Sequence, residues 1–283
     1  MSKKKITGQL LMHLFLTAVL LITLFPLIYT ISSSFKTNAE ILTNPAAIFP
    51  KAPTLKNYID AWNSDVFDVK RMAFNSLYYT LVIVACTILT SAMDGYVFAR
   101  GSFRGKKGIL GAFSALMFFS MGSITIYPLL KILNFIHVPK SLPGLMITKV
   151  FGVSIINIYL VRSFVYSLPA GIDEAAEIDG CSFYGVFFKI ILPLLKPILA
   201  TIGVLGFQGS WNEYLLPMIF TLSSPEQRPL VVGVIALSKS GEAAASYNLV
   251  FAGTVISLIP VLAAYTVGNK YFVSGLAAGA VKG

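Results

Sequence analysis

The chain has 283 residues, of which 56% are hydrophobic and only 12% are charged, whereas soluble domains carry about 25% charged residues. A soluble protein of this length could not bury so much apolar surface in one core. The composition therefore excludes a soluble protein and indicates an integral membrane protein. The net charge of +10 comes without a nucleic-acid-binding motif. We assign it to lysine and arginine that face anionic lipid on the cytoplasmic side.

Six apolar segments follow one another along the chain. Each is long enough to cross a hydrocarbon layer of about 30 Å, which requires a helix of about 20 residues. Backbone polar groups cannot stay unpaired in lipid, so helices are the expected spanning elements. We predict an all-α integral membrane protein with a single transmembrane domain over residues 1–283. The six predicted spans are residues 10–31, 74–98, 109–133, 145–164, 193–220 and 249–271.

The first span follows three lysines, as a signal peptide would. Its apolar run exceeds the ~7–15 residues of a signal peptide and lacks a small-x-small cleavage site, so we predict an uncleaved helix. A second basic cluster follows the second span, on the same side of the six-helix arrangement. The loop 32–73, on the opposite side, also contains basic residues, but they are spread along the loop and interspersed with acidic residues. The predicted topology therefore places both termini, the loop 165–192 and a tail 272–283 in the cytoplasm, and the loop 32–73 outside.

The two cysteines and two histidines predict no covalent or metal framework. Cys86 lies on a predicted membrane helix and Cys181 in a predicted cytoplasmic loop, so they cannot pair in this topology. His13 and His137 lie far apart in the sequence and lack the spacing of metal ligands. We therefore predict neither a disulfide nor a metal site.

A polar stretch over residues 174–193 separates the fourth and fifth spans and reads EAAEIDGCSFYGVFFKIILP. We predict a short helix from Ile172 to Asp179, because its acidic residues lie where the helix dipole stabilises negative charge. Gly180 then allows a sharp reversal, and Ser182 can cap a second helix that returns to the bilayer. Such a rigid helix-turn-helix suits the transmission of force rather than chemistry. An ordinary amphipathic loop helix would explain the acidic residues and the glycine separately, but not their full spacing.

The small side chains of Ala175 and Ala176 would let the surface of another protein approach this helix closely. Pro193 and Pro197 lie where a helix is expected to change direction. The spacing of the whole stretch resembles the cytoplasmic EAA loop of ABC-importer permeases. The residues that carry it are Glu174, Ala175, Ala176, Asp179, Gly180, Ile190, Leu192 and Pro193.

The likeness covers nearly the whole chain. It continues in Phe25-Pro26, Ser34-Phe35-Lys36, Leu55-Lys56-Asn57-Tyr58, Asn75-Ser76, Tyr96, Ala99-Arg100, Leu168-Pro169, Trp211-Asn212, Pro217, Gly275-Leu276 and residues 279–283. Together these motifs resemble the permease subunits of maltose-type carbohydrate ABC importers, in their six-helix branch. The chain departs from the family pattern at Cys181, where alanine is common, and over residues 121–129, which match the third helix loosely.

This resemblance implies a MetI-like, maltose-permease-like fold in a bacterial cell membrane. It implies four kinds of partner besides the lipid bilayer: a second permease that completes a heterodimer, two ATPase subunits, an extracytoplasmic solute-binding protein and a carbohydrate substrate. The nearest approach to a phosphate-binding loop, Gly101 to Lys107, fails in spacing and in its final hydroxyl. We therefore expect a transport subunit rather than an enzyme, with no cofactor in this chain and with ATP and Mg bound by the ATPase. By the same resemblance, the tail 279–283 is expected to reach the ATPase interface.

Sugars require a few polar groups and aromatic faces. The embedded candidates for the substrate pathway are Asn157, Tyr159, Gln208, Trp211, Asn212 and Glu213. An intramembrane carboxylate usually faces a bundle interior or a cavity, but residues 211–213 could equally close the outer end of their helix by packing and hydrogen bonding. Gly203, Gly206 and Gly209 are expected to form a smooth packing face for another helix. Asp94, near the inner end of the second span, could reach water or a basic neighbour.

Other functional classes remain open at this point. An ABC permease for a non-carbohydrate solute, such as glycerol phosphate, an amino acid or a peptide, would share the same loop. A secondary transporter or channel would also cross the membrane several times, but should show inverted halves or charge pairs at mid-membrane depth. A membrane assembly or signalling protein would not need an EAA loop.

Overall fold

A computed structural model describes residues 3–64, 67–119, 122–169, 171–239 and 243–280. These residues form helices joined by loops and contain no β-strand, so the all-α prediction is confirmed. The first eight helices are α1 (Lys3–Ser33), α2 (Asn38–Thr43), α3 (Lys56–Asn63), α4 (Val69–Arg100), α5 (Lys106–Phe118), α6 (Ile126–Phe135), α7 (Leu142–Val150) and α8 (Ile155–Ser167). The remainder are α9 (Gly171–Ile178), α10 (Phe183–Val186), α11 (Leu192–Leu194), α12 (Lys196–Trp211), α13 (Leu215–Phe220), α14 (Leu230–Lys239) and α15 (Ala243–Ala280).

Several of these helices can cross a membrane. Within the described part of the chain, four stretches have the required length and hydropathy: Gly8–Ser33, Val69–Arg100, Leu142–Ser167 and Ser246–Gly268. A fifth span results if Phe183–Leu194 and Lys196–Trp211 are counted together across their bend. The protein is therefore a multi-pass membrane protein.

The predicted count of six spans remains a prediction. The third predicted span, 109–133, covers α5 and α6, which have 13 and 10 residues, and each is shorter than the ~20 residues that a span requires. The last helix runs on to Ala280 rather than ending near residue 271, since this segment holds good helix formers such as Leu276 and Ala277. The final three residues of the predicted tail, 281–283, lie outside the described residues.

The chain divides into two compact units, the first of which contains residues 1–73 and 230–259. In this unit the predicted extracytoplasmic loop is folded around buried polar groups. The side-chain amide of Asn57 donates to the carbonyl oxygens of Ser34 and Lys36, each at 2.7 Å, and its oxygen accepts from Asn248 at 2.9 Å. The ammonium of Lys36 is fully buried and donates to the carbonyl of Ala47. Two of the sequence motifs quoted above, at 34–36 and 55–58, therefore contact each other.

The second unit contains residues 74–229 and 260–283. Its largest core joins α4, α8 and α12 to the segment that follows α8. Glycines allow α12 to approach α4 closely: a Cβ atom at Gly203 would lie 3.2 Å from Ile88, and one at Gly206 would lie 3.6 Å from Val84. The expected smooth packing face is confirmed at these two positions, whereas Gly209 faces open space.

Candidate functional site

The polar loop forms two short helices with a fixed turn between them. We call residues 171–194 the helix-turn-helix segment. The predicted helix over 172–179 is confirmed as α9, and its end is closed by a hydrogen bond from the Cys181 N–H to the Ala176 carbonyl at 2.9 Å. Gly180 between them has φ +80°, the left-handed conformation that closes a helix in this way and that glycine adopts without strain. The turn is therefore encoded at a single residue.

The second helix of the segment begins as predicted. The Ser182 hydroxyl accepts a hydrogen bond from the Gly185 N–H at 3.2 Å and caps α10. The chain then passes through a π-helical turn, Phe187–Ile191, into α11. Between α11 and α12 the axis bends by 73°. Pro193 and Pro197 lie on the two sides of the bend, which confirms the predicted change of direction.

The motif residues of the segment face two ways. Glu174, Ala175, Asp179, Gly180 and Pro193 are exposed. The remaining motif residues pack at least partly inward and are Ala176, Ile190 and Leu192. The exposed set presents two carboxylates on a surface that none of the described residues covers.

Ala176 differs from the expectation that both alanines let another protein approach. It is buried, with 4% of its surface exposed, in a core that also contains Tyr96, Val165 and Phe187. A small side chain is needed at this position because α9 lies against the chain's own α4 and α8. Ala175 keeps the expected exposed position.

Charged and aromatic groups of α4 hold the first turn of α9. Asp173 forms an ion pair with Arg100, with Oδ2 2.9 Å from Nε, and the two side chains are 14% and 17% exposed. Its other oxygen accepts from the Tyr96 hydroxyl at 3.4 Å. The Tyr96 ring contacts Phe183 and Phe187, with centroid distances of 4.8 and 5.2 Å. Both helices of the segment are therefore attached to the same end of α4.

Sequence reasoning placed Tyr96 and Arg100 in family motifs and Asp173 at the helix dipole, but it did not join them. The available signal was weak: an arginine at a helix C-terminus and an acid in a loop on the same predicted side, 73 positions later. Many such pairs exist in this chain by sequence alone.

The candidate substrate residue Glu213 lies in a cluster of its own. Its carboxylate accepts from the Tyr79 hydroxyl at 2.7 Å and pairs with the Lys149 ammonium at 2.8 Å. The Lys149 and Glu213 side chains are 33% and 21% exposed. The structure thus joins α4, α7 and the end of α12 through this carboxylate, which favours the packing alternative for Glu213. A lysine and a glutamate within apolar segments were the signal for this pair, because such charges in membrane segments usually have partners.

Two further candidates also make internal contacts. The Tyr159 hydroxyl donates to the Leu110 carbonyl at 2.7 Å and lies 2.7 Å from the Ser114 hydroxyl, so it joins α8 to α5. Trp211 is buried and stacks on Phe207, with ring centroids 5.7 Å apart. Tyr159 therefore stabilises the packing of α8 on α5, whereas the stacking of Trp211 lies within α12.

The remaining candidates are accessible. Gln208 and Asn212 are exposed, and Asn157 is half-buried. The Asn212 side chain donates to the Gln208 backbone carbonyl at 3.0 Å. These three residues do not form one cluster by any contact among the described residues. Asp94 is half-exposed, and no described basic side chain pairs with it.

Known proteins resemble this chain over most of its length. Residues 94–277 match a family model described as "Binding-protein-dependent transport system inner membrane component". The chain is 33% identical over 278 residues to the sulfoquinovosyl glycerol transport system permease protein SmoH of Agrobacterium fabrum (strain C58), covering 98% of this chain and 95% of that protein. It is 32% identical over 286 residues to the galactooligosaccharides transport system permease protein GanQ of Bacillus subtilis (strain 168), covering 100% and 99%.

A solved structure also resembles the whole chain. A chain in the crystal structure of a bacterial ABC transporter involved in the import of the acidic polysaccharide alginate superposes with a TM-score of 0.82 at 27% identity. The match covers 96% of this chain and 99% of that chain. The likeness therefore extends beyond residues 94–277, the part that matches the family model.

Proposed function

This chain belongs to the family of binding-protein-dependent transport system inner membrane components, and we propose that it is a permease subunit of an ABC importer for a sugar or oligosaccharide. The family match and the whole-chain likeness to transport permeases make it a transport protein rather than an enzyme. Support for a carbohydrate comes from the solutes in the names of its relatives, which are sulfoquinovosyl glycerol and galactooligosaccharides.

The helix-turn-helix segment carries the proposed coupling to an ATPase. Its outer surface presents Glu174, Ala175 and Asp179, while its inner surface is seated on α4 and α8. The inner seating includes the ion pair between Asp173 and Arg100, which is mostly shielded from water, so the segment is held as a rigid unit. A rigid, exposed pair of helices with a negatively charged face fits a complementary groove on a partner, and partner contacts on the exposed face can displace the segment without unfolding it.

The proposed complex contains this chain, a second permease, two ATPase subunits and an extracytoplasmic binding protein in a bacterial inner membrane. The two permeases enclose the pathway. Closure of the ATPase pair on ATP moves the docked segments, and the helices rock between inward-facing and outward-facing states. ATP and Mg belong to the ATPase subunits, and we expect the purified chain alone to hydrolyse no ATP. ATP turnover by that preparation, free of contaminating ATPase, would contradict this assignment.

Replacing Glu174 tests the coupling role. Glu174→Ala removes one exposed carboxylate that makes no hydrogen bond or ion pair with the described residues, so we expect normal membrane insertion together with reduced ATPase copurification and reduced uptake. Glu226→Ala is the matched control, since Glu226 is also an exposed acid but lies in a loop predicted on the opposite side of the membrane. Galactooligosaccharides and alginate oligosaccharides serve as the uptake probes in cells that express the complete importer.

Normal ATPase copurification and uptake by Glu174→Ala would contradict the coupling role. The solute class is tested separately in the same cells with labelled glycerol phosphate and amino acids. If the cells take up one of these solutes and no oligosaccharide, the protein is an importer subunit, but the proposed carbohydrate substrate is wrong.

A further inference from the structure

The inner end of α4 is held by basic side chains from two other helices. A helix C-terminus leaves carbonyl groups unpaired and carries partial negative charge. Lys106, at the start of α5, donates to the carbonyl oxygens of Ala99 and Gly101 at 3.3 and 2.8 Å. Arg162 in α8 donates through Nε to the Phe98 carbonyl at 3.2 Å. The end of α4 is thus attached to both α5 and α8.

Arg100 connects the same end of α4 to the helix-turn-helix segment. Its Nε pairs with Asp173 at 2.9 Å, and its Nη2 donates to the carbonyl of Leu168 at 2.9 Å. The guanidinium is planar, so its hydrogen bond to Leu168 also limits where its Nε can lie beside Asp173. Leu168 ends α8 and Asp173 lies in the first turn of α9. Arg100 therefore holds both sides of the point where the chain enters the segment.

We propose that the Arg100–Asp173 ion pair is the positioning link that makes α4 move together with the helix-turn-helix segment. This rests on the coupling function proposed above. The apolar contacts of Ala176 and Phe187 allow one surface to slide over another. The opposite charges 2.9 Å apart resist separation, and each group is also held by a hydrogen bond, Asp173 from Tyr96 and Arg100 to Leu168. Both charged groups are mostly shielded from water, so salt screens this pair less than an exposed one. Displacement of α9 is transmitted to α4 and, through the bound carbonyls, to α5 and α8.

Two spin labels measure whether α4 and the segment move as one body. Lys189→Cys labels the segment and Tyr78→Cys labels the far end of α4, both at exposed positions, with the native Cys86 and Cys181 replaced by alanine. Residue 78 precedes residue 100 by 22 positions, which is about 33 Å along a helix, a suitable range for pulsed electron paramagnetic resonance. The complete importer, copurified with its ATPase in lipid nanodiscs, is measured without nucleotide and trapped with ATP and vanadate.

The link is then weakened by Asp173→Asn, which keeps the shape of the side chain and removes its charge. With the ion pair intact, we expect the same distance distribution in both nucleotide states. In Asp173→Asn the distribution should broaden or shift when ATP and vanadate are added, and Asp173→Glu should restore the parent behaviour. Arg104→Gln is the matched control, because Arg104 is an exposed basic residue of the loop that follows Arg100, and it should behave like the parent.

Two results would overturn the proposal: a parent distance that changes between the nucleotide states, or an Asp173→Asn distance that matches the parent in both. A merely structural role would lower the yield of assembled complex and leave the distance unchanged in the complexes that form, which is the second of these results. Failure of the coupling function itself is recognised differently, because the ATPase would then be missing from the parent complex or unaffected by Glu174→Ala.

Discussion

Replacing Gly180 isolates the conformational requirement of the turn from any packing effect. A Cβ atom at this position would meet no atom within 4 Å, so alanine introduces no clash. The backbone, however, has φ +80°, and a left-handed conformation costs an L-residue about 1–2 kcal/mol. A change of this size alters the ratio of closed to open turn by roughly 5- to 30-fold. We therefore expect Gly180→Ala to open the turn by up to that factor, and Gly180→Asn, which tolerates this conformation better, by less.

Amide hydrogen exchange in the segment measures this opening directly. The Cys181 N–H is bonded to Ala176 only while the turn is closed, and its exchange rate follows the population of the open state. Gly105 provides the matched control, because it also has positive φ and a Cβ there would also face open space. Gly105→Ala should accelerate exchange near α5 and leave the segment unchanged. The reasoning fails if Gly180→Ala leaves exchange at 171–186 unaltered, or if asparagine accelerates it more than alanine.

Two further predictions concern polar groups in the interior. Lys149→Met and Glu213→Gln should each lower the stability of the purified protein by about 1–3 kcal/mol, because each breaks a charge-assisted hydrogen bond. A double-mutant cycle measured by thermal unfolding should give a favourable coupling energy between the two residues. Strictly additive effects would contradict the pairing. Asn57→Asp should destabilise the first unit by about 1–3 kcal/mol, since an acceptor would then face the two carbonyls that the Asn57 amide now satisfies. Thermal unfolding of Asn57→Asp is compared with that of Asn248→Asp, because the first variant loses two hydrogen bonds to backbone carbonyls and the second loses only the bond between the two side chains. Equal losses of stability in the two variants would contradict this account.

The parts of the fold that depend on local chemistry were predictable from the sequence. The helix over 171–178, its glycine turn and the serine cap each follow from residues within a few positions of one another, and the structure has all three. The third span was not predictable in detail, because hydropathy over 109–133 is continuous whereas the described backbone there forms two short helices. Apolar composition reports on burial in lipid or protein and does not report on breaks in a helix axis.

Pairings between distant residues lay beyond sequence reasoning. Glu213 could be recognised as a carboxylate that needs a hydrogen-bonding or ionic partner, but its partners lie 64 and 134 positions away in the sequence. Tyr159 illustrates a second difficulty, because a hydroxyl that binds sugar and one that binds a neighbouring helix need the same chemistry. Only the position of the Leu110 carbonyl separates the two roles. The exposed Gln208 and Asn212 emerge from the structure as the accessible members of the original set.

The bend between α11 and α12 means that a rotation of the helix-turn-helix segment displaces the far end of α12. α12 has 16 residues and is therefore about 24 Å long, and it leaves the helix-turn-helix segment at 73°. A rotation of the segment by only about 5° swings the far end of this arm by about 2 Å. Trp211 and the start of the Glu213 cluster lie at that end, so a small tilt of the segment at one end of α12 becomes a displacement of these side chains at the other end.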